Sequence, residues 1–139
     1  MKNTATVKDI MTTNVITLSS SDKLENAEKL FKKNNIRHIP IVDNGEIVGM
    51  LSYSDLLRLS FADLTNEEFE IDAFIYEMFT IKQIMAKNLT MVPPNTTIKK
   101  VAQMLVEKEF HALPIVKDEK LLGIVTSTDL SRYLVAQLN

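Results

Sequence analysis

The chain has 139 residues, of which 45% are hydrophobic and 24% are charged, values typical of a globular protein with enough apolar side chains for one core. A net charge of −2 gives no indication of a nucleic acid or an anionic membrane as a partner. The absence of cysteine excludes disulfides, thiolate nucleophiles and zinc sites with sulfur ligands. No apolar run approaches the roughly 20 residues of a membrane helix, and the N-terminus lacks the apolar core of a signal peptide, so we expect a cytoplasmic protein.

One sequence unit occurs twice, because residues 7–59 align without a gap on residues 81–133 at a constant offset of 74 positions. The identical pairs include Ile10/Ile84, Met11/Met85, Asn14/Asn88, Pro40/Pro114, Ile41/Ile115, Val42/Val116, Gly49/Gly123, Asp55/Asp129 and Arg58/Arg132. Such self-similarity predicts a tandem duplication. We assign the repeats to 7–59 and 81–134 and a connecting segment to 60–80.

In chain order, the first half of each repeat predicts a turn, a short β-rich piece and an amphipathic helix. In the first copy the β-rich piece covers 15–18, and apolar residues within 24–31 recur at the spacing of one helix face. Asp22 with Glu25 predicts a capping box at the start of this helix. Thr96 is expected to cap the corresponding helix of the second copy.

The second half of each repeat predicts a β-hairpin followed by a helix. The apolar runs that predict strands cover 39–42, 47–51, 113–116 and 121–125. Asn44-Gly45 predicts a tight turn in the first hairpin, because both residues tolerate the positive φ that such turns need. A helix should then begin near Ser54 and near Thr128. The predicted fold is therefore α/β, in the α+β sense, with two tandem β-α-β-β-α repeats that pack together because neither can bury its strands alone.

The connecting segment 60–80 carries six acidic residues and no basic one. Thr65 with Glu68 could cap a helix there, so we interpret the segment as a connecting helix with an acidic outer face. A dedicated partner-binding segment is the alternative.

No catalytic arrangement is present in the sequence. The two histidines, His38 and His111, occupy equivalent positions in the two repeats, so no metal-ligand spacing exists. Three glycines allow neither a dinucleotide fingerprint nor a glycine loop for phosphate. We therefore predict no catalytic residue, no metal site and no enzymatic activity.

The duplicated motif Gly-x-x-Ser/Thr-x-x-Asp ends in Asp55 in the first repeat and in Asp129 in the second. One interpretation is structural, because a hydroxyl residue followed three positions later by an acid is a helix-capping pattern. The other is functional, because a carboxylate in the first helical turn can accept hydrogen bonds from two vicinal hydroxyls of a ribose. Spacing alone does not separate the two interpretations.

The repeat resembles the CBS domain, and the tandem resembles a Bateman module. The resemblance covers 7–59 and 81–134. It rests on Asp9-Ile10-Met11 and Gln83-Ile84-Met85, on the stretches 36–43 and 110–116 that contain Ile-Pro-Ile-Val and Leu-Pro-Ile-Val, and on the Gly-x-x-Ser/Thr-x-x-Asp motif. All motifs occur in the same order twice.

The resemblance implies that the repeats pack about a pseudo-twofold axis and form two clefts, each with the hydroxyl and aspartate of one repeat and the backbone of the other. One cleft would contain Thr126, Thr128, Asp129, Asn14, Ile16, Ile36, Arg37, His38 and Pro40. The other would contain Ser52, Ser54, Asp55, Asn88, Thr90, Phe110, His111, Ala112 and Pro114. Arg37 and His111 stand where members of this family reach phosphates, although exposed residues at a strand start would look the same. Because Arg37 and His38 belong to the Asp129 cleft, we expect that cleft to bind the more phosphorylated or tighter ligand.

The implied function is a regulatory module that binds AMP, ADP or ATP, with no obligatory cofactor. The resemblance also implies a homodimer through the helices, to which Leu130, Leu134 and Leu138 could contribute, although packing within the chain would explain the same residues. Its output would pass to an effector protein that the sequence does not identify. The alternatives are a structural CBS dimer without a nucleotide, or S-adenosylmethionine as the ligand.

Overall fold

The computed structural model describes residues 4–59, 73–108 and 111–138. Its helices and strands are a 3-10 helix at Val7–Asp9, α1 (Leu24–Asn34), β1 (His38–Asp43), β2 (Glu46–Ser52), α2 (Tyr53–Arg58), α3 (Ala73–Met78), α4 (Ile81–Ile84), α5 (Ile98–Glu107), β3 (Ala112–Lys117), β4 (Lys120–Thr126) and α6 (Ser127–Gln137). The mixed α/β class predicted from the sequence is confirmed. None of the described helices combines the length and the apolar character needed to cross a membrane.

The chain divides into two compact units that do not coincide with the two sequence repeats. Unit 1 comprises Met1–Val15 and Thr90–Asn139, and unit 2 comprises Ile16–Leu89. The leading segment of each repeat, residues 7–15 in the first and 81–89 in the second, therefore packs in the unit that holds the hairpin of the other repeat.

Buried apolar side chains explain this exchange. In unit 1, Val7 is fully buried in a core with Val101, Leu113 and Val125. Its backbone is held as well, because the N–H of Val7 donates to the carbonyl of Thr96 at 2.8 Å.

In unit 2, Ile81 and Met85 are buried in a core that contains Phe31, Ile41 and Leu51. Each leading segment thus buries apolar side chains in a core, although the sequence predicted only a turn there and did not identify the core. Burial of one such side chain stabilises a fold by about 1.5–3 kcal/mol.

Both predicted hairpins form, and their turns have the same backbone shape. β1 pairs antiparallel with β2, and Asn44 and Gly45 at the turn have φ values of 53° and 81°, as predicted. β3 pairs antiparallel with β4, and its turn residues Asp118 and Glu119 have φ values of 52° and 67°. The second turn therefore places an ordinary side chain where the first has glycine, which costs of the order of 1 kcal/mol.

The predicted β-rich pieces before the helices are not strands. The piece at 15–18 contributes one isolated parallel bridge, between Leu18 and Ile41. Its counterpart in the second repeat, at 89–92, contributes one between Val92 and Ile115. In unit 2, the N–H of Leu18 donates to the carbonyl of Pro40, and the N–H of Val42 donates to the carbonyl of Leu18. Leu18 alone therefore pairs with β1, which is too little for a strand.

The capping prediction for α1 is wrong, although the helix itself is confirmed. Its N-cap is Lys23, and no side chain caps it. The carboxylate of Asp22 instead accepts a hydrogen bond from the N–H of Ser19 at 2.7 Å, which uses it in the preceding turn. A turn-forming bond to the local backbone competes with capping for the same short acidic side chain.

The cap of α5 lies one residue later than predicted. Thr97 is the N-cap, and its hydroxyl accepts from the N–H of Lys100 at 3.1 Å. The hydroxyl of Thr96 donates to the carbonyl of Pro93 at 2.8 Å. Two adjacent threonines made this boundary ambiguous in the sequence.

Part of the connecting segment lies outside the described residues. The predicted cap at Thr65 and Glu68 falls there, so it stays a prediction. Within the described part, α3 occupies Ala73–Met78, and Phe74 and Met78 are exposed.

Candidate functional site

Each Ser/Thr-x-x-Asp motif spans the junction between the last strand of a hairpin and the helix that follows. Ser52 ends β2 and is the N-cap of α2, and its hydroxyl accepts from the N–H of Asp55 at 3.0 Å. Thr126 ends β4 and is the N-cap of α6, and its hydroxyl accepts from the N–H of Asp129 at 3.5 Å. The capping interpretation is therefore confirmed for the hydroxyl residues. Because the two hydroxyls cap helices, the aspartate carboxylates are the groups of the motif to consider for ligand binding.

The carboxylate of Asp129 is buried and has several partners within unit 1. The residue is 5% exposed. One oxygen accepts from the N–H of Thr126 at 2.8 Å, which completes a capping box. The other oxygen accepts from the hydroxyl of Thr12 at 3.0 Å and lies 3.7 Å from a guanidinium nitrogen of Arg132. Both carboxylate oxygens are thus engaged by the protein itself.

The carboxylate of Asp55 is more accessible and forms an ion pair within unit 2. Its side chain is 34% exposed, and one oxygen lies 3.1 Å from a guanidinium nitrogen of Arg58. The side chain of Arg58 is itself 78% exposed, so this ion pair is open to solvent and weakly held. The cap here is one-sided, because Ser52 accepts from Asp55 but the carboxylate takes no part in a capping box.

Besides the capping box of Asp129, one further difference between the two carboxylates originates in the leading segments. In unit 1, Thr12 forms a two-way backbone bridge with Ile124, at 2.8 and 3.0 Å, and its hydroxyl then reaches Asp129. In unit 2, Ala86 forms the same bridge with Met50, at 2.9 and 3.0 Å. The backbone arrangement is repeated, but alanine has no hydroxyl.

Sequence reasoning missed Thr12 as a neighbour of the site. The available signal was the Thr12/Ala86 mismatch at the 74-residue offset, inside an otherwise repeated leading segment.

Glycine is required before each of these bridges because the leading segment passes close to the hairpin. A Cβ on Gly123 would lie 2.7 Å from the carbonyl oxygen of Thr12 and 2.9 Å from the sulfur of Met11. A Cβ on Gly49 would overlap the sulfur of Met85 and lie 3.1 Å from the carbonyl oxygen of Ala86. The glycines of the motif thus have a packing role that brings each leading segment to its hairpin.

The predicted site residues are distributed over both units. Unit 1 contains Thr126, Thr128, Asp129, Asn14, Thr90, His111, Ala112 and Pro114. Unit 2 contains Ser52, Ser54, Asp55, Ile16, Ile36, Arg37, His38, Pro40 and Asn88. Phe110 lies outside the described residues. The composition of the two predicted clefts therefore stays a prediction.

Exposure separates these residues into candidates for ligand contact and residues of the core. Asn14, Arg37, Ser54, Asn88, His111 and Thr128 are exposed. Pro40 and Pro114 are buried in their strands, where their carbonyls accept from Leu18 and Val92. The prolines consequently have a structural role in the hairpins, whatever else they contact.

Two titratable groups outside the predicted site, Asp43 and Tyr76, have shifted pKa values. The Ser20 hydroxyl and backbone N–H donate to the carboxylate of Asp43 and lower its pKa. Burial raises the pKa of Tyr76, whose hydroxyl lies in the interior of unit 2. Among the residues that the structure describes, no group of three or more His, Asp or Glu side chains could hold a metal ion.

A cavity of about 610 Å³ opens in unit 2 beside the start of α1. It is lined by residues 20–25 and by Tyr76, Glu77, Phe79 and Thr80. None of the predicted ligand residues lines it, and three carboxylates against one lysine make it unsuited to a phosphate.

The chain is a tandem-repeat module. Each repeat has a β-hairpin and a helix with a hydroxyl cap and an aspartate at their junction, and a leading segment that pairs with the hairpin of the other repeat. A CBS domain family model matches residues 7–62 and 81–136. The chain belongs to the CBS domain family, and the resemblance noted from the sequence is confirmed.

Among curated proteins, the chain is 29% identical over 127 residues to the CBS domain-containing protein YhcV of Bacillus subtilis, covering 91% of this chain and 84% of YhcV. Several other curated relatives are much longer, and the chain spans 22–46% of their length.

Two solved structures add ligands to the comparison. The CBS domain pair of protein MJ0100, in complex with 5-methylthioadenosine and S-adenosyl-L-methionine, has a TM-score of 0.77 and 29% identity, covering 96% of this chain and 98% of that one. CBSX2 in complex with AMP has a TM-score of 0.80 and 25% identity, covering 95% and 97%.

Proposed function

We propose that this chain is a non-catalytic regulatory module that binds an adenosine nucleotide, AMP, ADP or ATP, through the Ser/Thr-x-x-Asp motifs. The observation that carries the proposal is the placement of a carboxylate in the first turn of α2 and of α6, directly after a strand, in both copies of the repeat. A carboxylate is the natural acceptor for the vicinal hydroxyls of ribose.

The ligands of the related structures support this choice. AMP, 5-methylthioadenosine and S-adenosyl-L-methionine differ in charge and in their 5′ group, but all three contain adenine and a ribose with two free hydroxyls. The shared part is the part that a carboxylate recognises. The residues predicted to complete each site include Arg37 and His111, which are exposed and could meet a phosphate.

Thermal unfolding with and without ligand tests the proposal. The protein would be heated alone and with millimolar AMP, ADP, ATP, S-adenosylmethionine or 5-methylthioadenosine. A ligand at 100 times its dissociation constant adds about 2.7 kcal/mol, which raises the Tm of a chain of this size by roughly 8–13 °C. 2′-Deoxy-AMP is the matched control, since it lacks one hydroxyl but keeps the adenine and the phosphate.

We expect 2′-deoxy-AMP to bind at least about tenfold more weakly than AMP, because a hydrogen bond to a charged group is worth roughly 1.5–3 kcal/mol. Equal affinity for both nucleotides would contradict recognition of ribose by the carboxylates. The absence of a Tm shift with every adenosine compound would favour the structural alternative.

That alternative has one specific observation in its favour. The Thr126, Thr12 and Arg132 partners of the Asp129 carboxylate all belong to the protein, and Thr126 completes a capping box with it. If both Ser/Thr-x-x-Asp motifs only cap helices, Asp55→Asn should leave any adenosine affinity unchanged, whereas the nucleotide proposal requires it to fall.

We also propose that the chain forms a homodimer through its helices. Leu134 and Val135 of α6, and Leu138 just after it, are 53%, 70% and 66% exposed, so three large apolar side chains within five residues contact water in the single chain. Native mass spectrometry of protein purified without added ligand measures the mass of the assembly and reveals any retained nucleotide. A dimer that Leu134→Glu converts to a monomer would support the proposal, and a monomeric parent protein would refute it.

A further inference from the structure

The two ribose-recognising carboxylates of the proposed function have different partners in the structure. Asp129 alone completes a capping box, and it alone accepts a hydrogen bond from a hydroxyl of the leading segment. Thr12 donates its hydroxyl to Asp129 at 3.0 Å. At the equivalent position of the other repeat stands Ala86, whose backbone makes the same bridge but which has nothing to donate to Asp55.

We infer that Thr12 competes with the ligand for Asp129, so that the Asp55 site fills first and the Asp129 site fills at higher nucleotide concentration. The inference rests on the proposed function, because it concerns which of its two sites is used first.

The hydroxyl of Thr12 does to Asp129 what a ribose hydroxyl would do. It is an O–H donor at ordinary hydrogen-bond distance from a carboxylate oxygen. A carboxylate oxygen can accept more than one hydrogen bond. Here Thr12 occupies one acceptor position, the Arg132 guanidinium lies 3.7 Å from the same oxygen and the residue is only 5% exposed, so a ribose has to take the place of the Thr12 hydroxyl. The gain from the new hydrogen bond is then offset by the loss of the old one. A charge-assisted hydrogen bond changes an equilibrium constant by roughly 10- to 100-fold, so this exchange removes most of the ribose contribution at Asp129.

Burial acts in the same direction. Asp129 is 5% exposed, whereas 34% of the Asp55 side chain is accessible. The weak ion pair of Asp55 with Arg58 is no obstacle, because the arginine is 78% exposed and can move into water with its charge solvated. The Asp55 carboxylate is therefore already presented for binding, while the Asp129 carboxylate has to be released.

This order is the opposite of the one expected from Arg37 and His38 alone. Those residues would act on the phosphate end of a nucleotide, whereas Thr12 acts at the ribose.

Reciprocal exchange of the two leading-segment residues tests the inference by isothermal titration calorimetry with AMP. The background is Asp55→Asn, which leaves Asp129 as the one intact carboxylate of the pair. We expect Thr12→Ala in this background to tighten AMP binding about 5- to 20-fold, and Thr12→Ser, which keeps the hydroxyl, to match the parent. Thr13→Ala is the matched control, because it removes an exposed hydroxyl at the neighbouring position and leaves the Thr12 hydroxyl in place.

The converse variant acts on the other site. In the otherwise unchanged chain, Ala86→Thr should place a hydroxyl beside Asp55 and weaken the first binding event about 5- to 20-fold. This variant also guards against an unstable Thr12→Ala protein, since it adds a group and removes none.

The outcomes separate the two proposals. If AMP binds but neither exchange alters its affinity, Thr12 does not compete with ligand, and the inference is overturned while the proposed function stands. The inference is overturned in the same way if Asp55→Asn removes the weaker of two binding events. If no adenosine compound binds the parent or any variant, both the proposed function and the inference are overturned.

Discussion

The two motif glycines should respond differently to the same substitution, because different atoms lie where their side chains would be. At Gly123 the nearest atom to a new Cβ is the backbone carbonyl oxygen of Thr12, at 2.7 Å, which is bonded to the N–H of Ile124 and cannot swing away. At Gly49 the overlapping atom is the thioether of Met85, the flexible end of a long side chain.

Overpacking of this kind costs about 1–3 kcal/mol. We expect Gly123→Ala to fall near the upper end, because the backbone of the leading segment must move, and Gly49→Ala near the lower end. At roughly 3–5 °C per kcal/mol for a chain of this length, the first variant should lose about 8–15 °C in Tm and the second about 3–5 °C.

A double-mutant cycle identifies the atom responsible. In a Met85→Ala background, Gly49→Ala should become nearly neutral, because the overlapping thioether is gone, giving a coupling energy of about 1 kcal/mol. In a Met11→Ala background, Gly123→Ala should keep most of its cost, because the carbonyl of Thr12 remains. Urea unfolding of the parent, the four single variants and the two double variants measures all these energies.

Equal destabilisation by the two glycine substitutions would refute this reasoning. So would full rescue of Gly123→Ala by Met11→Ala, since that would make the side chain and not the backbone the obstacle.

Three further predictions concern local features. Ser20→Ala should raise the depressed pKa of Asp43. The Asp43 carboxylate stabilises the fold above its unfolded pKa, and this contribution is lost as pH falls through the folded pKa. The variant should therefore unfold at a higher pH than the parent in an acid titration followed by circular dichroism. Glu119→Gly should raise Tm by at most roughly 3 °C, since relief of a positive φ worth about 1 kcal/mol is partly offset by the greater freedom of glycine in the unfolded chain, and a Tm lowered by more than roughly 5 °C would contradict the strain. Thr97→Ala should cost about 1 kcal/mol in urea unfolding through loss of the α5 cap, and the adjacent Thr96→Ala should cost less; the reverse order would place the cap at Thr96.

The local elements of this protein could be read from the sequence because short-range rules decide them. Asn44-Gly45 requires a tight turn, and the left-handed φ values of both residues confirm it. The helix of each repeat follows from apolar spacing, and the family follows from motifs repeated in order. The predicted cap of α5 was one residue off because Thr96 and Thr97 can both cap a helix. The predicted capping box of α1 was wrong because Asp22 instead accepts a hydrogen bond from the backbone of Ser19.

The bond of Asp129 to Thr12 could not be read in this way, since it joins residues 117 positions apart. The motif itself is the same in both repeats, so the sequence by itself determined that two carboxylates stand at two strand–helix junctions. The tertiary structure decided that Asp129 is bonded to Thr12 while Asp55 is partly open to solvent. The physical reason is the exchange of leading segments: burial of Val7 and Ile81 in the cores of opposite repeats brings a threonine to one junction and an alanine to the other.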